Sequence, residues 1–102
     1  GGCEIRWQFA APRRVDMLTL TSAGAVDAPS AWHLQGSSDG RHWITLDSRT
    51  HQHFAWSQQT RAFALRAPGS YTHYRLLLDA TQKGSPQTLA EIELLGPPGL
   101  RR

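Results

Sequence analysis

Trp56 lies in the polar stretch His51-Gln52-His53-Phe54-Ala55-Trp56-Ser57-Gln58-Gln59, among imidazoles and amides. A tryptophan in such a setting either caps a core or offers a flat face to a pyranose ring. Sugar C–H groups pack on aromatic rings, while neighbouring amides and imidazoles bond the hydroxyls. His51 and His53 form an H-x-H pair that would point the same way on an extended strand. Zinc would need a third protein ligand, and His33, His42 and His73 fall on other segments. The pair therefore reads as polar loop histidines able to bond a sugar. Asp27 is the only charged group of the connection 22–30, and Asp79, Gln82 and Lys83 fall in the connection 79–87. These residues are the further candidates for polar ligand contacts.

Catalytic patterns are missing. Glu91 and Glu93 stand two apart on one strand, so they share a face and cannot flank a glycosidic bond across a cleft. The Gly-Ser pairs at 36–37, 69–70 and 84–85 do not form a G-x-S-x-G elbow, and there is no phosphate loop. Cys3, the single cysteine, can form no internal disulfide and has no thiolate companions for a metal. These absences argue against an enzyme. Ten of the eleven cations are arginine, yet the net charge is only +3. The paired cations Arg13-Arg14 and Arg101-Arg102 lack an accompanying aromatic stripe, so a nucleic-acid partner is not expected.

Positioning these groups falls to short extended elements in a chain of 102 residues, one domain's worth. No apolar run approaches the roughly 20 residues of a membrane span. The N-terminal Gly-Gly-Cys-Glu-Ile-Arg also lacks the apolar core of a signal peptide. Runs rich in Val, Ile, Thr, Trp, Tyr and Leu predict strands at 4–10, 13–21, 31–37, 42–48, 60–66, 71–79 and 88–95, with no helix. Seven short strands separated by turn signals imply an all-β antiparallel sandwich or barrel. Asp39-Gly40 specifies a tight hairpin, and Ala67-Pro68-Gly69-Ser70 reads as a second turn with Gly69 at a left-handed corner. Trp32 and Trp43, on the two strands of the hairpin, are expected in the core, and Trp7 is expected to be structural. If successive strands alternate in direction, Pro12, Asp39-Gly40 and Pro68-Gly69 share one end. The longer connections 22–30, 49–59 and 79–87 then share the other, where ligand contacts are expected.

The segment Ala31-Trp32-His33-Leu34-Gln35-Gly36-Ser37-Ser38-Asp39-Gly40-Arg41-His42-Trp43-Ile44-Thr45-Leu46-Asp47 resembles the discoidin, or coagulation factor V/VIII type C, domain. Trp7-Gln8-Phe9 with Pro12 and Val15, then Tyr71-Thr72-His73-Tyr74-Arg75-Leu76, then Leu89-Ala90-Glu91-Ile92-Glu93-Leu94 follow in the family's order. Gln59-Thr60-Arg61-Ala62-Phe63 is most similar to modules appended to bacterial secreted glycosidases. The resemblance implies a galactose-binding-like jelly-roll β-sandwich over 1–96, with 97–102 as linker or tail. It also implies a secreted setting and non-catalytic binding of glycan or glycoconjugate beside a catalytic domain of the same parent chain. A calcium ion held partly by the Ala90 carbonyl and Glu91 is implied as well. The chain begins where the family's second or third strand would, so its first strand and a ligand loop are expected to be missing. The connection 22–30 has neither the Arg nor the Asn that galactose-binding members often carry there. The alternative is a structural or protein-interaction domain packed on its parent.

Overall fold

Two prolines decide how the chain is folded over. A computed structural model describes residues 3–24, 28–81 and 89–96. It contains β1 (Cys3–Ser22), β2 (Pro29–Ser37), β3 (Ile44–Arg49), β4 (Thr60–Thr81) and β5 (Leu89–Leu95), with no helix among the described residues. All pair antiparallel in the order β3-β2-β4-β1-β5. The seven expected strands are therefore five, because 4–10 joins 13–21 and 60–66 joins 71–79.

The joins show why. On β1 the pairing jumps from Gln8↔His73 to Arg13↔Tyr71, leaving four residues of β1 against one of β4. It jumps again from Val15↔Gly69 to Met17↔Ala64, leaving four residues of β4 against one of β1. Each strand thus carries one large bulge, and the two excesses cancel. Pro12 lies in the first bulge and Pro68 in the second, where a missing N–H removes no ladder bond. Prolines that read as strand breakers instead mark bends through which the strands continue. Gly69 does not take a left-handed corner; among the described glycines that backbone belongs to Gly40, at φ 78°. Gly69 is demanded by space, since a Cβ there would sit 2.8 Å from the Tyr71 ring.

Bending at these bulges folds the sheet into two leaves. One leaf comprises β3, β2, the C-terminal half of β4 and the N-terminal half of β1. The other comprises the N-terminal half of β4, the C-terminal half of β1 and β5. Trp32 and Leu34 from the first leaf and Leu18, Leu20, Phe63 and Leu65 from the second form one buried core. Trp32 meets Phe63 edge-to-face at 4.9 Å between centroids. The architecture is thus the expected all-β antiparallel sandwich. Trp7 packs against the core as expected. Trp43 does not belong to the core: it lies half-buried on the outer face of the first leaf, against Arg75 and Arg6. It precedes β3, so the alternation assumed for 42–48 does not govern it.

Polar groups hold the folded sheet at the bend and at its closing edge. The buried Tyr74 hydroxyl lies between the carbonyls of Arg13 and Gly69, on the two bulged strands, and accepts from the Tyr71 N–H at 3.2 Å. Burial raises the Tyr74 pKa above its ordinary value. At the free edge, buried Asp47 on β3 accepts from the Arg66 N–H of β4 and from Arg49 Nε. Arg49 Nη2 in turn donates to the Ala64 carbonyl at 2.8 Å, linking β3 to β4 where they do not pair.

The Asp39 hairpin sits beside the bend. Thr72 Oγ1 donates to the Ser38 carbonyl, and a Cβ on Gly40 would meet the His73 ring at 3.3 Å. The Asp39 carboxylate accepts from the His42 N–H, the His42 imidazole and the Arg41 N–H. These bonds hold it well below the usual carboxylate range. Its pKa is lowered by folding, so its stabilising contribution is complete above the ordinary carboxylate range and lost only as pH falls through the depressed value. In a carbon-detected NMR titration, Asp39 is expected to remain ionised at about pH 3, where unperturbed carboxylates are mostly protonated. Tyr74→Phe removes the hydroxyl that bonds the backbone at both bulges, and urea denaturation should show a loss of about 1–3 kcal/mol.

Candidate functional site

The end opposite the bend is built around Ser22, the last residue of β1. Its backbone N–H donates to the Gln59 carbonyl at 2.9 Å, and its carbonyl accepts from the Gln58 N–H at 2.8 Å. Its buried hydroxyl donates to the Trp56 carbonyl at 2.8 Å and accepts from the Gln59 N–H at 3.1 Å. A second tie joins the Gln52 N–H to the Ser30 carbonyl at 2.9 Å. The connection between β3 and β4 is thus sewn to the ends of β1 and β2. Pro29 also pairs with Thr81, so β4 ends beside the start of β2. The three longer connections leave the sandwich at one end, as the alternation of strand directions predicts.

Within this connection the side chains divide by type. Phe54 is fully buried and joins the core. Arg61 covers it, with the guanidinium 5.5 Å from the Phe54 ring and 4.9 Å from Phe63, while Nη1 donates to the His53 carbonyl at 2.9 Å. Gln59 Oε1 accepts from the Ala55 N–H, closing the turn around Trp56. Trp56 itself is 59% exposed. Trp56 therefore does not cap the core; Phe54 does the capping.

His51 and His53 are both exposed, but they do not lie on an extended strand. His51 has a left-handed backbone, φ 56°, so the alternation that would place both imidazoles on one side does not apply. Gln58 is also left-handed, at φ 61°. Two non-glycine residues in this region mark a connection held in a set shape by its hydrogen bonds. Asp79 belongs to β4 and pairs with His33, Oδ2 to Nδ1, at 2.5 Å. Asp27, Gln82 and Lys83 lie outside the described residues, as does the 97–102 tail.

Glu91 lies on β5 opposite Thr21, with its side chain exposed; Ala90 is its neighbour on the same strand. A calcium ion takes about six to eight oxygens. Among the described residues no three Asp, Glu, His or Cys side chains come together to hold a metal.

Ser22, Gln59 and Arg61 were not legible as parts of this site. Ser22 and Gln59 are 37 residues apart, and the motif that contains Gln59 and Arg61 does not record which backbone groups they bond. Two variants separate the buried support from the exposed face. Ser22→Ala leaves the Gln59 N–H without its acceptor and should cost about 1–3 kcal/mol in urea denaturation. Trp56→Ala should stay within about 0.5 kcal/mol of the parent, as exposed substitutions do.

No family model matches the sequence. No curated protein matches it either. Solved structures share its fold. The family 32 carbohydrate-binding module of Streptococcus pneumoniae EndoD superposes with a TM-score of 0.73 at 11% identity, over 92% of this chain and 69% of that one. An F5/8 type C domain from Bacteroides fragilis gives 0.72 at 17% identity, over 92% and 64%. The family 32 module of Clostridium perfringens NanJ, solved in complex with galactose, gives 0.67 at 10% identity, over 89% and 64%. The fold is the one the sequence motifs imply. The chain spans about two thirds of the length of these domains. No helix among the described residues is long and apolar enough to cross a membrane.

Proposed function

We propose that this chain is a non-catalytic glycan-binding module of a larger secreted, glycosidase-type protein, and that it binds through the end of the sandwich carrying Trp56. The observation that carries this reading is the set of bonds from Ser22 and Gln59 that fix the backbone around an exposed tryptophan. A connection whose backbone is already fixed loses less freedom on binding than a floppy one, which favours a weak, shape-selective ligand such as a sugar. Its indole face would stack on a pyranose ring. His51 and His53 would supply hydrogen bonds, with Asp27, Gln82 and Lys83 as further candidates on the neighbouring connections. The carbohydrate-binding modules that share the fold support the same reading, as does the lack of paired catalytic groups in the sequence.

Titration with neutral mono- and disaccharides of galactose, mannose and N-acetylglucosamine, followed by ¹H–¹⁵N NMR, tests it. Shifts should appear at the Trp56 indole and along 49–59, and Trp56→Ala should weaken binding about tenfold or more. Silence across all these sugars at about 10 mM overturns the reading, being weaker than the millimolar range in which single-ring ligands bind. It would then favour the alternative of a structural domain packed on its parent chain.

A further inference from the structure

The outer face of the first leaf carries a row that neither the fold nor the loop site uses. The pairing places Arg6 of β1 directly opposite Arg75 of β4, Arg75 opposite Gln35 of β2, and Gln35 opposite Thr45 of β3. The four residues run straight across the strands. Arg75 Nε donates to Gln35 Oε1 at 2.7 Å, and Gln35 Nε2 donates to Thr45 Oγ1 at 3.1 Å. Trp43 lies over both guanidiniums, 4.1 Å from Arg75 and 5.7 Å from Arg6.

This arrangement carries a cost. Like charges directly opposite on an antiparallel pair destabilise it. Glu4 pairs with Arg6 through Nε, but Arg75 has no carboxylate partner among the described residues. Asp79, on the same face, is engaged with His33. The terminal nitrogens of both guanidiniums and the Trp43 indole N–H have no hydrogen-bond partner among the described residues. Two donor forks therefore stand side by side on a half-buried aromatic ring, and Glu4, bonded to Arg6, is the one carboxylate paired with either of them. A planar oxyanion would meet both forks bidentately and relieve their repulsion.

We propose that this face is a second binding site, distinct from the Trp56 end, for a carboxylate-bearing sugar unit. Arg6 and Arg75 hold the carboxylate, and Trp43 packs against the ring that carries it. Gln35 and Thr45 hold Arg75 in place from the far side of the row. The oxyanion follows from the two arginines; the choice of a sugar as its carrier rests on the glycan-binding reading above.

A galacturonic-acid trimer, its fully methyl-esterified form and a hexaglutamate peptide are titrated in parallel into the intact chain. The Trp43 and Trp56 indole signals and the Arg6 and Arg75 Nε–H signals are followed by NMR. The acid trimer should shift Trp43, Arg6 and Arg75, and the ester should not. Arg75→Gln should weaken binding about tenfold, the loss of one charge-assisted fork. Arg6→Gln repeats the test, and a native-like Trp32 indole signal verifies that each variant is folded. No shift at Trp43 with the acid trimer at about 1 mM overturns the proposal, as does an equal response to the ester. Binding of the acid trimer at Trp56 alone overturns it while leaving the glycan reading intact. Hexaglutamate binding tightly at Trp43 where the trimer does not overturns the sugar assignment, and with it the support borrowed from that reading.

Discussion

The fold depends on two long strands bending together while staying paired. β1 and β4 each run through both leaves, and each must gain residues at the corner without losing register beyond it. The offsetting bulges at 9–12 and 65–68 do this, and the Tyr74 hydroxyl satisfies backbone groups that the bulges free. A bulged corner without an internal partner would leave part-buried backbone groups short of hydrogen bonds, which costs stability. Tyr71 supports the same corner from the side. It sits edge-to-face with Tyr74 and so close to Gly36 and Gly69 that neither could carry a Cβ without displacing it.

Because the corner gathers the compact turns at one end, the other end receives the longer connections. There the binding potential comes from a division of labour around the connection between β3 and β4. Phe54 enters the core, Arg61 covers it, and Ser22 and Gln59 fix the backbone, which leaves Trp56 with no structural duty. The same separation holds for the first leaf. Its inner face is apolar, while its outer face keeps Trp43 and two arginines that the core does not need.

Much of this was legible because it is local. Asp39-Gly40 encodes its own hairpin, since Gly40 must take a positive φ and the Asp39 carboxylate bonds N–H groups two and three residues on. The motif around Trp32 similarly marked β2 and the sandwich to which it belongs. Illegible parts depended on pairing. Pro12 and Pro68 look like ends of strands when read singly, and only their cancelling bulges reveal continuous ones. Trp43 looked like a core residue because half-buried cation–π packing leaves no periodic trace. The expectation that His51 and His53 point the same way assumes an extended strand, and the left-handed backbone of His51 removes that premise.

The sequence by itself determined the class of fold, the hairpin, the apolar alternation and the residue types available for binding, because each depends on contacts within a few residues. Tertiary structure alone decided which strands are continuous, which tryptophan is buried and which is presented, and that Arg6 faces Arg75. Those outcomes rest on strand register between segments some 35 to 70 residues apart. A one-residue change in register would send every such side chain to the opposite face, and no local pattern records which register is taken.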